Sequence, residues 1–221
     1  MAKLAEIGFL KDVVGETIIS TYNGDGTPNA APMGVIMVDE RHVAVNLYNT
    51  SATLTNVKAR RCAVLNLTDD INVYYRTAFK EANPNSALPR EWFTKTQTVN
   101  APKLVSAQAT IDVSVADLEE VSKEKTKATF IVDQVQATPR FERVYCRAFG
   151  ATVEAIIYAT RVKILVNDET EQKRVSQLLE RIQLCCNIVD HVAPNSAYSV
   201  IMADLTKRIA VWVKNEDSAS N

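Results

Sequence analysis

The sequence predicts an α+β protein, with strands in the first two thirds of the chain and helices in the last third. Two observations set that division. Short β-rich runs separated by Gly, Pro, Asn and Asp recur as far as Gln136, and beyond Val144 the apolar residues repeat at helical spacing instead. With 221 residues, 47% of them apolar, the chain can build one substantial core and a helical appendage.

Residues 16–22, 31–38 and 42–48 read as three strands of an antiparallel meander, separated by turns such as Asp39-Glu40-Arg41. Between the first two lies Asn23-Gly24-Asp25-Gly26-Thr27-Pro28, where both glycines are expected at positive φ and Thr27-Pro28 ends the turn. Ser51 opens a helix through Arg60, with Thr53 and Thr55 close behind, and residues 62–67 return as a strand. From residue 81 to 103 the pattern breaks into a loop with Pro84, Pro89 and Pro102 that also carries Trp92 and Phe93. A loop of that length is expected to cover a site or to pack on a partner. Alternation of Val105, Ala107, Ala109, Ile111 and Val113 predicts a strand over 103–115, paired with one over 126–136 across a solvated connection at 117–125.

The last third changes period. Residues 144–166 fit one long helix. Val175, Leu178, Leu179, Ile182, Cys186 and Val189 mark a second, with Asn167 or Asp168 as its N-cap, and Tyr198, Ile201, Met202, Leu205, Ile209 and Trp212 mark a third.

Composition excludes several functions. With 25 basic and 26 acidic residues, the formal net charge of −1 creates no global field that recruits nucleic acid or an anionic membrane. No apolar run reaches membrane-spanning length and the first residues lack a signal-peptide core, so the chain reads as soluble and cytoplasmic. The four cysteines lack CxxC spacing and read as reduced, buried thiols; two histidines, His42 and His191, are too few for a His-rich metal site. Asp190-His191 reads as a helix-terminal pair facing solvent, with a catalytic dyad as the sharper alternative.

The chemistry concentrates in two places. Beyond the first turn, Ala30, Ala31, Pro32 and Gly34 carry little side chain, so a planar ligand can approach the strand backbone. Flavin mononucleotide (FMN) requires a flat slot, backbone groups for its ring edge and donors for its phosphate. Pro32, Met33, Gly34 and Val35 suit the ring edge. Tyr48, Ser51, Thr53, Thr55 and Asn56 surround a helix N-terminus, where hydroxyls and free N–H groups suit a phosphate, although an ordinary N-cap explains them as well. Lys58, Arg60 and Arg61 sit further along and read first as cations complementing the helix C-terminus. Tyr74, Tyr75 and Arg76 are expected on the continuation of the fourth strand, near the ring or in the core. Trp92 reads equally as a lid or as the anchor of its loop.

Residues 17–35, Tyr48 with Thr53 to Asn56, and Ala63-Val-Leu-Asn-Leu-Thr-Asp-Asp70 resemble the domain-of-unknown-function 447 proteins, members of the FMN-binding split-barrel superfamily. The resemblance implies a six-stranded antiparallel split β-barrel over residues 1–140 and a helical region over 141–214 packed on the barrel or on a dimer partner, while the polar composition of 215–221 reads as a disordered tail. It implies a homodimer with FMN near the subunit interface, the ring edge along Pro32 to Val35 and the phosphate near Tyr48, Ser51, Thr53, Thr55 and Asn56. It further implies an oxidoreductase acting on a small organic substrate, with a link to pterin-dependent one-carbon metabolism; the alternative is a non-catalytic flavin-binding or pathway-assembly protein. The chain lacks the basic residues that the oxidase branch places at these two stretches, so phosphate neutralisation falls to hydroxyls, main-chain amides, Lys58, Arg60 or a partner-chain Arg.

Overall fold

In chain order the elements are β1 (Val14–Tyr22), β2 (Pro28–Asp39), β3 (His42–Tyr48), α1 (Ala52–Arg60), β4 (Cys62–Leu67), α2 (Ile71–Ala78), β5 (Phe93–Lys95), β6 (Pro102–Leu104), β7 (Ala109–Glu120), β8 (Lys125–Ala137), α3 (Arg147–Leu165), α4 (Gln172–Val192) and α5 (Ala197–Ala219). The structure, a computed structural model, describes residues 3–11, 13–138 and 146–219. Two compact units emerge: one holds the chain up to Thr68 and from Phe79 onward, the other holds Asp69–Ala78 and the C-terminal helices.

The first unit is a closed antiparallel barrel in the order β1-β2-β3-β8-β7-β4, with β5 and β6 as a separate two-stranded sheet. Strand alternation sends one set of side chains inward. Ile19, Val35, Met37, Val43, Val45, Leu65, Ile111 and Phe130 form the core, and α1 closes it with Leu54 and Val57, one turn apart. Each such side chain contributes roughly 1.5–3 kcal/mol by leaving water.

The β1–β2 turn is fixed by its polar residues. Gly26 N–H donates to the Asn23 carbonyl (3.0 Å) and Asn23 N–H to that of Thr27 (2.9 Å). The Asp25 carboxylate accepts from the Thr27 N–H (2.9 Å) and hydroxyl (2.6 Å). Gly26 has φ 81°, whereas Gly24 stays out of the left-handed region, so only one of the two glycines expected at positive φ needs it.

Three expectations are corrected. The strand expected at 103–115 is two elements, because the Leu104 N–H goes to Asn66 Oδ1 (2.8 Å) and the Gln108 N–H to the Leu67 carbonyl (2.8 Å), which bends the chain between β6 and β7. The connection expected at 117–125 is mostly ladder, since β7 and β8 pair from Ala109↔Ala137 to Glu120↔Thr126 across two bulges. The loop at 81–103 contains three short 3-10 turns and β5.

The helical unit buries one stripe per helix. Small residues, Ala148, Ala151, Thr152, Ala155 and Ala159, line α3 and let α4 approach with Val175, Leu178, Ile182, Cys185 and Val189. α5 contributes Ile201, Met202, Leu205 and Ile209. Tyr75 on α2 donates to Asp204 on α5, and Arg208 Nε reaches both the Tyr75 hydroxyl (2.8 Å) and the carboxylate (2.9 Å). The Tyr75 hydroxyl is pushed well above the ordinary tyrosine range, chiefly by burial. α5 continues to Ala219, into the stretch expected to be disordered; residues 220–221, like the expected boundary at 140–141 and residues 144–145, lie outside the described residues.

Candidate functional site

β2 is paired along only part of one edge. Against β1 it runs in register from Val14↔Ile36 to Tyr22↔Pro28, but against β3 it pairs only through Ile36↔Ala44, Met37↔Val43 and Asp39↔His42. β3 then turns to β8 along its whole length. The far edge of residues 28–35 therefore carries no neighbouring strand among the described residues, and alternate residues there aim N–H and C=O groups outward. Val35 is fully buried and Met33 packs against the core, while Pro32 and Gly34 stay half-buried.

Gly34 has a reason inside its own sheet. A Cβ on it would lie 2.7 Å from Val14 Cγ1 and 3.6 Å from Glu16 Oε1, so the glycine admits the β1 side chains at that point of the ladder.

Next to this edge stands the N-terminus of α1. Ser51 caps it, its Oγ accepting from Leu54 N–H (3.2 Å), while the Ser51 N–H is taken by the Tyr48 carbonyl (2.9 Å). The Thr55 hydroxyl turns back onto the Ser51 carbonyl (3.3 Å). The N–H groups of Ala52 and Thr53 remain without an acceptor among the described residues. Tyr48 is 46% exposed, with Lys125 Nζ 4.9 Å from its ring centroid.

The remaining two predicted phosphate residues face inward. Thr53 Oγ1 accepts from Asn29 Nδ2 (3.3 Å), which also reaches Thr21 Oγ1 (3.3 Å). Asn56 Nδ2 donates to Thr21 Oγ1 (3.0 Å) and Asn23 Oδ1 (2.9 Å). All four of Thr21, Asn29, Thr53 and Asn56 are buried, and together they tie α1 to the ends of β1 and β2. Arg60, at the other end of α1, donates Nε to the Tyr22 carbonyl (3.1 Å) and Nη2 to that of Asn23 (2.7 Å).

One cation enters this network. Lys80 Nζ donates to Asn29 Oδ1, placing a half-buried ammonium two hydrogen bonds from the first turn of α1 with no carboxylate partner among the described residues. Burial pushes its pKa down from the ordinary lysine value.

Other candidates fall elsewhere. Tyr74, Tyr75 and Arg76 belong to α2 of the helical unit, not to a strand; Tyr74 packs edge-on against Phe149 at 6.0 Å. Trp92 is half-buried at the end of a 3-10 turn, its carbonyl accepting from Val105 N–H (2.9 Å). Asp190 and His191 are exposed at the end of α4, and all four cysteines are free thiols, Cys62 and Cys185 buried. No group of three metal-binding side chains occurs among the described residues, and none of their helices is long and apolar enough to cross a membrane.

Residues 15–137 match the family described as "Protein of unknown function (DUF447) N-terminal domain". The chain belongs to the DUF447 family. The crystal structure of an FMN-bound DUF447 protein from Methanosarcina mazei superposes on it with a TM-score of 0.75 at 24% identity, covering 92% of this chain and 98% of that one. Partial likenesses extend to 2-nitrobenzoate 2-nitroreductase from Pseudomonas fluorescens (TM-score 0.47, 16% identity, 59% of this chain and 68% of that one) and to flavoredoxin from Methanosarcina acetivorans (TM-score 0.48, 13% identity, 59% and 72%). No curated protein matches the sequence.

In this DUF447 protein, sequence reasoning missed Lys80 and Asn29. Asn29 stands at the start of the strand already singled out. Lys80, inside Phe79-Lys80-Glu81, looks like any surface lysine, and only the fold brings it to β2.

Proposed function

We propose that this chain is an FMN-binding flavoprotein whose isoalloxazine edge lies along Pro32 to Val35 and whose phosphate meets the first turn of α1. The observation that carries this reading is the unpaired edge of β2 beside a helix start with two open N–H groups. The half-buried Lys80 supplies the positive charge that a phosphate dianion requires, while Ser51 and Thr55 line the mouth. Tyr48 is exposed beside that mouth. Thr53 and Asn56 act through their structural bonds by holding α1 in place, with Thr53 adding its main-chain N–H. The fold shared with an FMN-bound relative supports flavin binding as such.

When bound, the flavin supplies hydride or electron transfer, and we infer an oxidoreductase acting on a small organic substrate, cytoplasmic and homodimeric. The link to pterin-dependent one-carbon metabolism belongs to the same reading. The chain's own residues orient the ring and neutralise the phosphate.

The test is direct. Purified protein is expected to be yellow and to release about one FMN per chain on denaturation. A folded protein that stays colourless and ignores added FMN overturns the proposal. Anaerobic mixing with NADH or NADPH then separates a reductase, which bleaches, from a flavin carrier, which does not.

A further inference from the structure

A concavity in the barrel unit lies at the opposite end of α1 from the Ser51 cap. It has a volume of about 630 Å³, within the size range of small-ligand sites. Tyr22 and Phe93 line it, together with three cations, Arg60, Arg90 and Lys95, and one carboxylate, Asp25. Since α1 has nine residues, about 13 Å of helix separates this cleft from the N–H groups proposed for the flavin phosphate.

The local charge is opposite to that of the chain as a whole. The protein is formally −1, yet the cleft concentrates three positive side chains around one negative one. Arg60 is held in place by neutral groups: two backbone carbonyls, at 3.1 and 2.7 Å, and the Tyr22 ring, 5.8 Å from its guanidinium carbon to the centroid. Those contacts fix its position without cancelling its charge. Asp25 is committed to Thr27, whose hydroxyl and N–H hold its carboxyl below the usual range, so it stays ionised at neutral pH. Arg90 and Lys95 are exposed and form no ion pair among the described residues. A lone inorganic anion would leave most of this volume and the apolar wall of Tyr22 and Phe93 unused.

From this geometry we infer a second binding site, for a phosphorylated aromatic ligand of mononucleotide size, its phosphate between Arg60, Arg90 and Lys95 and its ring against Phe93. The site is independent of the flavin berth and does not require that berth to be occupied.

Calorimetric titration of the full chain with adenosine 5′-monophosphate, in the presence and absence of FMN, tests it. Saturable binding is expected in both states, with adenosine alone and inorganic phosphate alone each weaker by about tenfold or more. Arg90→Gln and Lys95→Gln are each expected to weaken the nucleotide about three- to tenfold and to leave FMN uptake unchanged, and added salt should weaken it further. Both side chains are exposed, so the variants should fold, and circular dichroism checks each. The proposal is overturned by the absence of saturable binding up to about 10 mM nucleotide. It is equally overturned by phosphate binding as well as the nucleotide, by unchanged affinity in both variants, or by competition from FMN. Failure of FMN to bind leaves these outcomes intact and bears only on the flavin reading.

Discussion

Replacing Lys80 by Met separates a phosphate counter-charge from a structural strut. In the flavin-free protein the substitution removes the bond to Asn29 Oδ1, a loss of about 1–3 kcal/mol if that oxygen is left unpaired. It also removes an ammonium whose burial costs energy, so the two terms oppose and the net change in stability is expected to stay within about 1 kcal/mol. Burial lowers the folded-state pKa of Lys80, so its penalty is fully present below that lowered value and fades as pH rises from it towards the ordinary lysine value. The flavin-free wild type should therefore gain stability on alkalinisation relative to K80M. With FMN bound the lysine gains an anionic partner, and that alkaline gain should vanish. A hydrogen bond to a charged group contributes about 1.5–3 kcal/mol, so K80M should bind FMN about 10- to 150-fold more weakly. Flavin fluorescence titration measures the affinity and thermal melts at two pH values measure the stability. Lys58→Met, on an exposed position of α1, serves as a control with unchanged affinity. FMN affinity within about threefold of wild type, with a less stable flavin-free protein, refutes the assigned role.

Two further substitutions probe the barrel. Gly34→Ala brings a Cβ to 2.7 Å from Val14 Cγ1 and should destabilise by about 1 kcal/mol, recovered in a Val14→Ala background; a penalty that persists there points away from the Val14 contact. Asp112, on β7, is buried, and its Oδ2 has no hydrogen-bond partner among the described residues. Burial raises its pKa despite the opposing Thr98 bond and Lys103 charge. A carboxyl raised in the folded state has its full stability below the ordinary Asp value and loses it as pH climbs through the folded-state pKa. Asp112→Asn should thus stabilise the barrel by about 1–3 kcal/mol at about pH 7 and change little at about pH 3, read from urea unfolding; an equal effect at both pH values contradicts the charge-burial explanation.

Local signals made most of the barrel readable, and the misreadings have local causes. β1 to β4 and α1 announce themselves through short β-rich runs, turn residues and the Ser51 cap. Tyr74, Tyr75 and Arg76 suggest a continuation of the fourth strand because Ile71-Asn-Val-Tyr-Tyr75 is short and rich in β-formers, whereas they lie on α2. The competing signal was Asp70, whose carboxylate accepts from Asn72 N–H (2.9 Å) in the manner of an N-cap. The alternation through Val105 and Ala107 suggested a strand because nothing near them in sequence shows that Asn66 and Leu67 claim the neighbouring N–H groups. The same limit governs the site. A hydroxyl-rich helix start reveals which donors exist but not which are already used. Here the Thr53 and Asn56 side chains serve the barrel end, and the open donors are main-chain N–H groups of Ala52 and Thr53. The nearby cation sits 51 residues from the asparagine it contacts, so no spacing rule reaches it. The polar residues of the α1 mouth thus divide between holding the helix against β1 and β2 and facing outward. A phosphate proposed there depends on the first group for position and on Lys80 and the free backbone for attraction.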